Sequence, residues 1–251
     1  MKRFLTESAK PLLALLVFLI MQVLAGVAMV CIGQHMDMSR SMAICLGLAN
    51  LLTILAVWGI FRRSAPMDGA SAALGWKEHL LALVGCCFGV VALDFCAEIL
   101  DLPDMMVDIF IKLGSDPWGI VSIAIIGPVA EEVLFRWGIM RHYMPGGAWR
   151  AILISALAFG IIHMNPAQVP FAAAMGVMLG ILYWRSGSIA WPIALHILNN
   201  SLACVQILLL GDKVKEFSII EAMGGMAIGS MTALVFAAIS VSLLWRYATI
   251  E

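Results

Sequence analysis

Long apolar runs are the feature of this sequence that most restricts its fold. Of the 251 residues, 63% are hydrophobic and 12% are charged, whereas a soluble domain has about 25% charged residues. Such a chain cannot cover its apolar surface within one water-soluble core. About 20 apolar residues cross a bilayer as a helix. We therefore predict eight spans, with seven as the fallback, at 11–33, 41–61, 79–100, 118–144, 148–164, 168–185, 188–210 and 218–245.

The same runs predict an all-α polytopic membrane protein. In lipid only helices and closed barrels satisfy their backbone groups, and these runs lack the alternation of barrel strands. The fifth run is short and could be a partly inserted helix. We find no soluble segment, so we expect residues 1–251 to form a single integral membrane domain. The segment 64–78 is interpreted either as a short amphipathic helix at the inner surface or as a plain connector.

The distribution of Lys and Arg predicts the orientation. With the N-terminus in the cytoplasm, ten basic residues fall on inner loops and helix ends, and four fall on outer loops. Because cytoplasmic loops carry the excess of basic residues, we expect both termini in the cytoplasm of a bacterial cell and the chain in its cytoplasmic membrane. Membrane lipid is one expected partner. Nucleic acid is not, because it selects a basic face and this chain has a net charge of -1.

Three ionisable residues, Glu131, Glu132 and Arg136, stand in the middle of the fourth span. Each costs about 2.5–3.5 kcal/mol at the bilayer centre, which indicates function. Glu132 and Arg136 are four residues apart and can pair, so we expect them to support the site. Glu131 lies about 100° around the helix and stays available for chemistry. The alternative is a buried ion-pair clamp without catalysis.

Two later spans each contribute a histidine. His163 ends the fifth span, and His196 precedes Asn200 by four residues within the seventh. Together with Glu131 they predict a functional cluster. However, the predicted boundaries place the two histidines about 10 Å apart in depth. We therefore expect either that the fifth span begins deeper or that the loop 144–149 dips into the membrane.

Three motifs in this order resemble the CPBP intramembrane proteases, the CAAX-type and bacteriocin-processing enzymes that include the type II CAAX prenyl endopeptidases. They are GluGluValLeuPheArg at 131–136, PheGlyIleIleHis at 159–163 and HisIleLeuAsnAsn at 196–200. The family pattern E-E-x-x-x-R, F-x-x-x-H and H-x-x-x-N is met without a departure. The resemblance covers about 120–205, which we take as the protease core.

The resemblance implies an eight-helix membrane fold and hydrolysis of a peptide bond within or beside the bilayer. It implies that Glu131 activates water, that His163 holds that water, and that His196 with Asn200 stabilises the oxyanion. Glu132 and Arg136 would support the site. The expected substrate is a hydrophobic or lipidated peptide or protein, such as a prenylated C-terminus, a pheromone, a bacteriocin or a membrane-protein segment.

The residues themselves leave two mechanisms open. Amide hydrolysis needs a base near a water and a donor near the oxyanion. Glu131, His163 and His196 could instead be three zinc ligands with an open fourth position, as in a metalloendopeptidase, although the H-E-x-x-H motif of zincins is absent. We favour the version without a cofactor. Asn200 suits an oxyanion donor, and neither histidine has an apparent carboxylate partner of the kind that zinc ligands usually have.

Two other functions remain as alternatives. A proton-coupled transporter would also place acids in its spans, and Asp94 with Glu98 forms a second acidic pair four residues apart in the third span. Many carriers show symmetry between their two halves, and this sequence shows none. A non-catalytic membrane scaffold that keeps the motif for stability is the second alternative.

Overall fold

The computed structural model describes residues 2–63, 74–222 and 225–249, and every regular element in these ranges is a helix. This confirms the all-α class predicted from the apolar runs. The helices are α1 (Lys2–Ile32), α2 (Met38–Phe61), α3 (Trp76–Leu100), α4 (Val107–Gly114), α5 (Pro117–Gly146), α6 (Ala148–Ile162), α7 (Gln168–Ser186), α8 (Ala190–Leu210), α9 (Ile219–Ala222) and α10 (Met226–Thr249).

Seven of the helices in the described ranges are long and apolar enough to cross a membrane, which confirms a polytopic protein. They are α1, α2, α3, α5, α7, α8 and α10. The predicted fifth span is a real helix, α6, but it has only 15 residues. A helix of that length rises about 22 Å, less than the roughly 30 Å of a hydrocarbon core. By length and composition, the count is therefore the fallback of seven, with α6 as a shorter apolar helix.

The segments between the spans differ from the prediction in two places. The short helix α4 lies outside all predicted spans. The last span begins at Met226 and not at 218, because a separate short helix, α9, precedes it. Most of the segment 64–78, interpreted as a surface helix or a connector, lies outside the described residues.

The start of α5 follows directly from its sequence. Asp116 accepts hydrogen bonds from the backbone N–H groups of Trp118 and Gly119, at 2.9 and 3.0 Å. Pro117 occupies the first turn, where its missing N–H costs nothing. An acidic N-cap followed by proline is a common way to begin a helix. The predicted start of this span at 118 agrees with it to one residue.

Two π-helical segments, Ser122–Ile126 and Val133–Met140, interrupt α5 on either side of Gly127–Glu132. Pro128 lies between them and has no N–H to donate, which favours a local departure from α-helical bonding. Such π-segments are frequent at functional sites. Here they flank the two adjacent glutamates and turn successive side chains of α5 towards different neighbours.

Small residues allow the helices to approach closely. α1 packs on α2, α3 on α10, and α6 on α7. At Gly176 a Cβ atom would lie 2.9 Å from the Ala156 Cα atom, and at Gly180 it would lie 3.0 Å from Ile152. These glycines form one of the G-x-x-x-G pairs of the sequence, a pattern typical of close helix packing in membranes. The contact brings α6 and α7 together beside α5.

We predict that Gly176→Ala lowers the melting temperature of the purified protein. The new methyl group would meet the Ala156 backbone, and overpacking of this kind costs about 1–3 kcal/mol. Gly59→Ala is the matched control, since nothing lies within 4 Å of a Cβ atom at that position. Its melting temperature should stay level or rise slightly, because alanine favours helix more than glycine. Equal melting temperatures for the two variants would contradict this account of the packing.

Candidate active site

Glu132 and Arg136 form a fully buried ion pair inside α5. The Arg136 Nη1 atom donates to Glu132 Oε1 at 3.1 Å, and neither side chain is exposed. Arg136 also donates through Nη2 to the Gly176 carbonyl at 3.2 Å, and its guanidinium lies 4.6 Å from the centre of the Phe159 ring. Arg136 therefore connects α5 to both α6 and α7. This is the pairing that the spacing of four residues predicts.

His196 lies between the two glutamates. Its Nδ1 atom is 2.9 Å from Glu132 Oε1, and its Nε2 atom is 3.6 Å from Glu131 Oε2. Because Glu132 is paired with Arg136 and can only accept, the proton of this hydrogen bond belongs to His196 Nδ1. The expectation that neither histidine has a carboxylate partner is therefore wrong for His196. Sequence spacing could not reveal the contact, since 64 residues separate the two side chains.

His163 is oriented by its own helix. Its Nδ1 atom is 2.7 Å from the Phe159 carbonyl oxygen. A carbonyl only accepts, so Nδ1 carries the proton and the Nε2 atom of the neutral imidazole is left with a lone pair. Such a nitrogen can accept a hydrogen bond from a water molecule.

The Phe159 ring is the contact that both histidines share. The ring centres lie 4.9 Å apart for His163 and 5.6 Å apart for His196, both in edge-on geometry. Two histidines that the predicted boundaries placed about 10 Å apart in depth thus contact the same aromatic ring. The short helix α6 ends at Ile162, directly before His163.

Asn200 makes two hydrogen bonds within the protein. Its Nδ2 atom donates to the Ile123 carbonyl at 2.9 Å, and its Oδ1 atom accepts from Asn199 at 3.1 Å. Ile123 belongs to the first π-segment of α5, so Asn200 holds that segment against α8. A carboxamide nitrogen has two hydrogens, which leaves one N–H of Asn200 for a ligand.

The four candidate catalytic residues line one cavity of about 420 Å³. Glu131 is the more accessible glutamate, with 22% of its side chain exposed, whereas Glu132 has none. Apolar side chains from several helices form much of the wall. The cavity is large enough for a short peptide segment. Its lining includes Glu131, His163, His196 and Asn200, with Phe159 and Met175 beside them.

A metal site is a separate question. Among residues 2–63, 74–222 and 225–249, no three His, Cys, Asp or Glu side chains are arranged to hold a metal ion. Glu131, His163 and His196 line one cavity, but they are not among the described residues found to form such a group.

Several polar residues of the cavity wall were not singled out from the sequence. Gln22, Asn50, Ser122 and Asn199 all line it. The first three lie outside the three motifs, and Asn199 lies within the third motif at one of its unspecified positions. The sequence did contain a signal for these residues, namely a carboxamide or hydroxyl group within an otherwise apolar span. Such a polar group in hydrocarbon needs a hydrogen-bond partner.

Glu98, one member of the acidic pair in α3, has a structural role. The Glu98 carboxylate accepts hydrogen bonds from the backbone N–H groups of Ile219 and Ile220, at 2.8 and 3.2 Å, and from the Ser218 hydroxyl. It therefore caps the start of α9 from a distant part of the chain. Neither Asp94 nor Glu98 lines the cavity described above.

The comparisons with known proteins agree with the three motifs. Residues 113–202 match a family model described as type II CAAX prenyl endopeptidase Rce1-like. The match covers 90 of the 251 residues. The resemblance to the CPBP intramembrane proteases is thereby confirmed. The matched segment contains Glu131, His163, His196 and Asn200, and it lies close to the predicted limits of 120–205.

Two bacterial proteins are similar to part of the chain. The chain is 33% identical over 90 residues to the Bacillus subtilis (strain 168) protein named "Putative membrane peptidase YdiL", which covers 36% of this chain and 37% of that protein. It is 30% identical over 107 residues to "Membrane-embedded CAAX protease MroQ" of Staphylococcus aureus (strain USA300), covering 40% and 43%. The match thus spans about two fifths of each relative. No solved structure matches the chain.

We predict that Glu132→Ala and Arg136→Ala each lower the melting temperature strongly. Each leaves a buried charge without its partner, which costs about 3–5 kcal/mol. The double variant Glu132→Leu with Arg136→Leu is the control. It removes both charges and should melt at a higher temperature than either single variant. Single variants that melt like the wild type would show that the pair does not stabilise the fold.

Proposed function

We propose that this chain is an intramembrane endopeptidase that hydrolyses a peptide bond with Glu131 as the base. The observation that carries the proposal is the position of Glu131. Its carboxylate lines the cavity and faces His196 Nε2 at 3.6 Å, while Glu132 is fully buried and engaged by Arg136 and His196. One glutamate is therefore held by the fold, and its neighbour stays available to a substrate.

The charges of the site support a specific protonation state. Glu131 and Glu132 carry two negative charges, and Arg136 carries one positive charge. Because an uncompensated charge is costly in the membrane, an additional proton on the facing His196–Glu131 pair makes the site neutral. With that proton on His196, both ring nitrogens are donors. The Nε2–H group can then donate to an oxygen that becomes negative.

This state supports a sequence of proton transfers. Glu131 takes a proton from a water molecule, and the resulting hydroxide attacks the carbonyl carbon of the substrate. The carbonyl oxygen becomes an oxyanion, which accepts hydrogen bonds from His196 Nε2 and from the remaining N–H of Asn200. His163 holds the water through the lone pair of its Nε2 atom. When the C–N bond breaks, Glu131 returns its proton to the leaving amine.

The proposed substrate is a hydrophobic or lipidated peptide, or a segment of a membrane protein. The relatives in Bacillus subtilis and Staphylococcus aureus are named as membrane peptidase and CAAX protease, which supports a peptide substrate. We further propose that the chain lies in a bacterial cytoplasmic membrane with both termini in the cytoplasm. Reporter enzymes that are active on only one side of the membrane, fused to each terminus, test that orientation.

The alternative functions receive less support. A transporter would use the acids of α3, but Glu98 is engaged as the cap of α9 and lies outside the cavity. A non-catalytic scaffold needs the buried pair of Glu132 and Arg136, but it gives no reason for the partly exposed Glu131 beside His196. Uptake into reconstituted vesicles would favour transport. Partner binding that survives Glu131→Ala would favour a scaffold.

We predict that Glu131→Gln abolishes cleavage while insertion, purification and the melting temperature stay unchanged. Glutamine keeps the shape of the side chain but cannot accept the proton of water. The comparison is made by proteomics of membranes with wild type and variant, followed by cleavage of the identified substrate by purified protein. Cleavage by the variant at the rate of the wild type would refute Glu131 as the base. The buried neighbour gives the contrasting control, because Glu132→Gln should also lower the melting temperature.

We predict full activity with far less than one metal ion per chain. The proposed steps use Glu131, the histidines and Asn200 without a metal. Elemental analysis of active, detergent-purified protein tests this, together with activity before and after chelation. About one zinc per chain, lost with activity on chelation and restored with added zinc, would overturn the metal-free mechanism. The carboxylate partner of His196 makes this measurement necessary, since zinc-bound histidines usually have such a partner.

A further inference from the structure

Three polar side chains from outside the catalytic motifs meet the wall of the same cavity. Gln22 of α1, Asn50 of α2 and Ser122 of α5 all line it. Asn50 and Ser122 are 9% and 2% exposed, so both are deeply buried. Polar groups inside membrane-spanning helices are costly unless they find partners. Their common position at the cavity therefore calls for an explanation.

A hydrogen bond between two helices fixes the orientation of Asn50. Gln22 Nε2 donates to Asn50 Oδ1 at 3.0 Å. Among the described residues, this is the hydrogen bond that the Asn50 side chain makes. Its Nδ2 atom keeps both hydrogens available. The oxygen points to α1, so the nitrogen lies on the α5 side, 3.7 Å from where a Cβ atom of Gly127 would be.

The position of Asn50 along the cavity follows from its closeness to Gly127. Gly127 precedes Glu131 by four residues, so the two lie on the same face of α5. The axial rise between them is about 6 Å. The amide nitrogen of Asn50 therefore lies about one helical turn from the proposed base, on the wall of the same cavity. The Ser122 hydroxyl, which has no partner among the described residues, lies one further turn along α5.

The charged residues of the cavity wall indicate which chemical class of ligand the cavity can bind. Among the described residues that line it, the carboxylates are Asp104 and Glu131, and neither Lys nor Arg contributes. An anionic lipid head group would find no Lys or Arg side chain among these described lining residues. Carboxamides match the neutral donors and acceptors of a peptide backbone, and the rest of the wall accepts apolar side chains. The apolar lining includes Phe18, Leu46, Phe110, Phe171, Met175 and Ile207.

We propose that Asn50 binds the backbone of an extended substrate, two residues from the bond that is cut, and that Gln22 positions it. An extended chain rises about 3.3 Å per residue, so peptide groups two residues apart are separated by about 6.6 Å. That spacing matches the single turn between Gly127 and Glu131. The Asn50 Nδ2–H group donates to the substrate carbonyl at this position. The inference rests on the proposed function, because it defines a subsite of the same cavity.

A simpler role for the Gln22–Asn50 pair is to join α1 to α2. Interhelical hydrogen bonds between carboxamides are common in membrane proteins. That role predicts lower stability on substitution and no effect that depends on the position of a peptide bond. The two roles can therefore be separated by enzyme kinetics with altered substrates.

The test uses an internally quenched peptide of about 12 apolar residues, selected from a library by cleavage with the wild-type protein. Mass spectrometry locates the bond that is cut. A series of analogues then replaces each peptide bond in turn by an ester, which removes the N–H and weakens the carbonyl as an acceptor. We expect KM to rise about tenfold when the ester lies two residues from the cut bond on one side of that bond. Esters at the neighbouring positions should change KM less. If esters at all positions raise KM equally, the subsite is overturned, and the wild-type protein alone is enough to show this.

Variants connect this effect to Asn50. Asn50→Leu should raise KM for the parent peptide about tenfold with little change in kcat. For this variant, the ester two residues from the cut bond should raise KM little further. Gln22→Leu should raise KM to a smaller extent. Thr53→Val is the matched control. Thr53 is buried on the same helix, bonds to the Ala49 carbonyl at 2.9 Å and does not line the cavity, so its KM should stay at the wild-type value.

The outcomes separate the subsite from the proposed function. The subsite alone is overturned if cleavage depends on Glu131 but its KM is unaffected by Asn50→Leu. It is also overturned if the KM effects of Asn50→Leu and of the ester two residues from the cut bond multiply when the two changes are combined. The absence of any cleavage that depends on Glu131 overturns the proposed function and the subsite with it. A fall in melting temperature for Asn50→Leu at constant KM assigns the pair to helix joining only.

Discussion

The buried pair of Glu132 and Arg136 is the interaction on which the rest of the site depends. Two charges inside a membrane domain are tolerated only when they meet each other and further partners. Arg136 reaches the Gly176 carbonyl and the Phe159 ring, and Glu132 also accepts from His196. The pair therefore fixes α6, α7 and α8 around α5. The requirement to compensate two charges is what assembles the candidate active site.

The glycines and the π-segments make this assembly possible. Gly176 lets α6 and α7 approach closely enough for Arg136 to reach a backbone carbonyl. The π-segments on either side of Gly127–Glu132 change the direction in which side chains leave α5. Two adjacent glutamates can then have different environments, one closed and one facing the cavity. A difference of this kind separates a structural carboxylate from one that can react.

The helices outside the motifs complete the cavity. α1 and α2 contribute Gln22 and Asn50, and α4 covers another part of the wall with Phe110 and Ile111. The family match begins at residue 113, so these walls come from the part of the chain that precedes it. The walls of a pocket decide which ligand fits it, so residues that precede the matched segment also define what this cavity accepts.

The sequence by itself determined the membrane class, the resemblance to a family of membrane proteases and the residues that carry charge into the spans. Hydropathy and the spacing of Glu132 and Arg136 are local properties, and a helix converts such spacing directly into contacts. Tertiary structure decided the partners that lie far apart in the chain. The Glu132–His196 bond joins residues 64 positions apart, and Gln22–Asn50 joins two separate spans. It also decided that both histidines contact the Phe159 ring, because residues from different helices meet only after the helices have packed, and no local pattern encodes that contact.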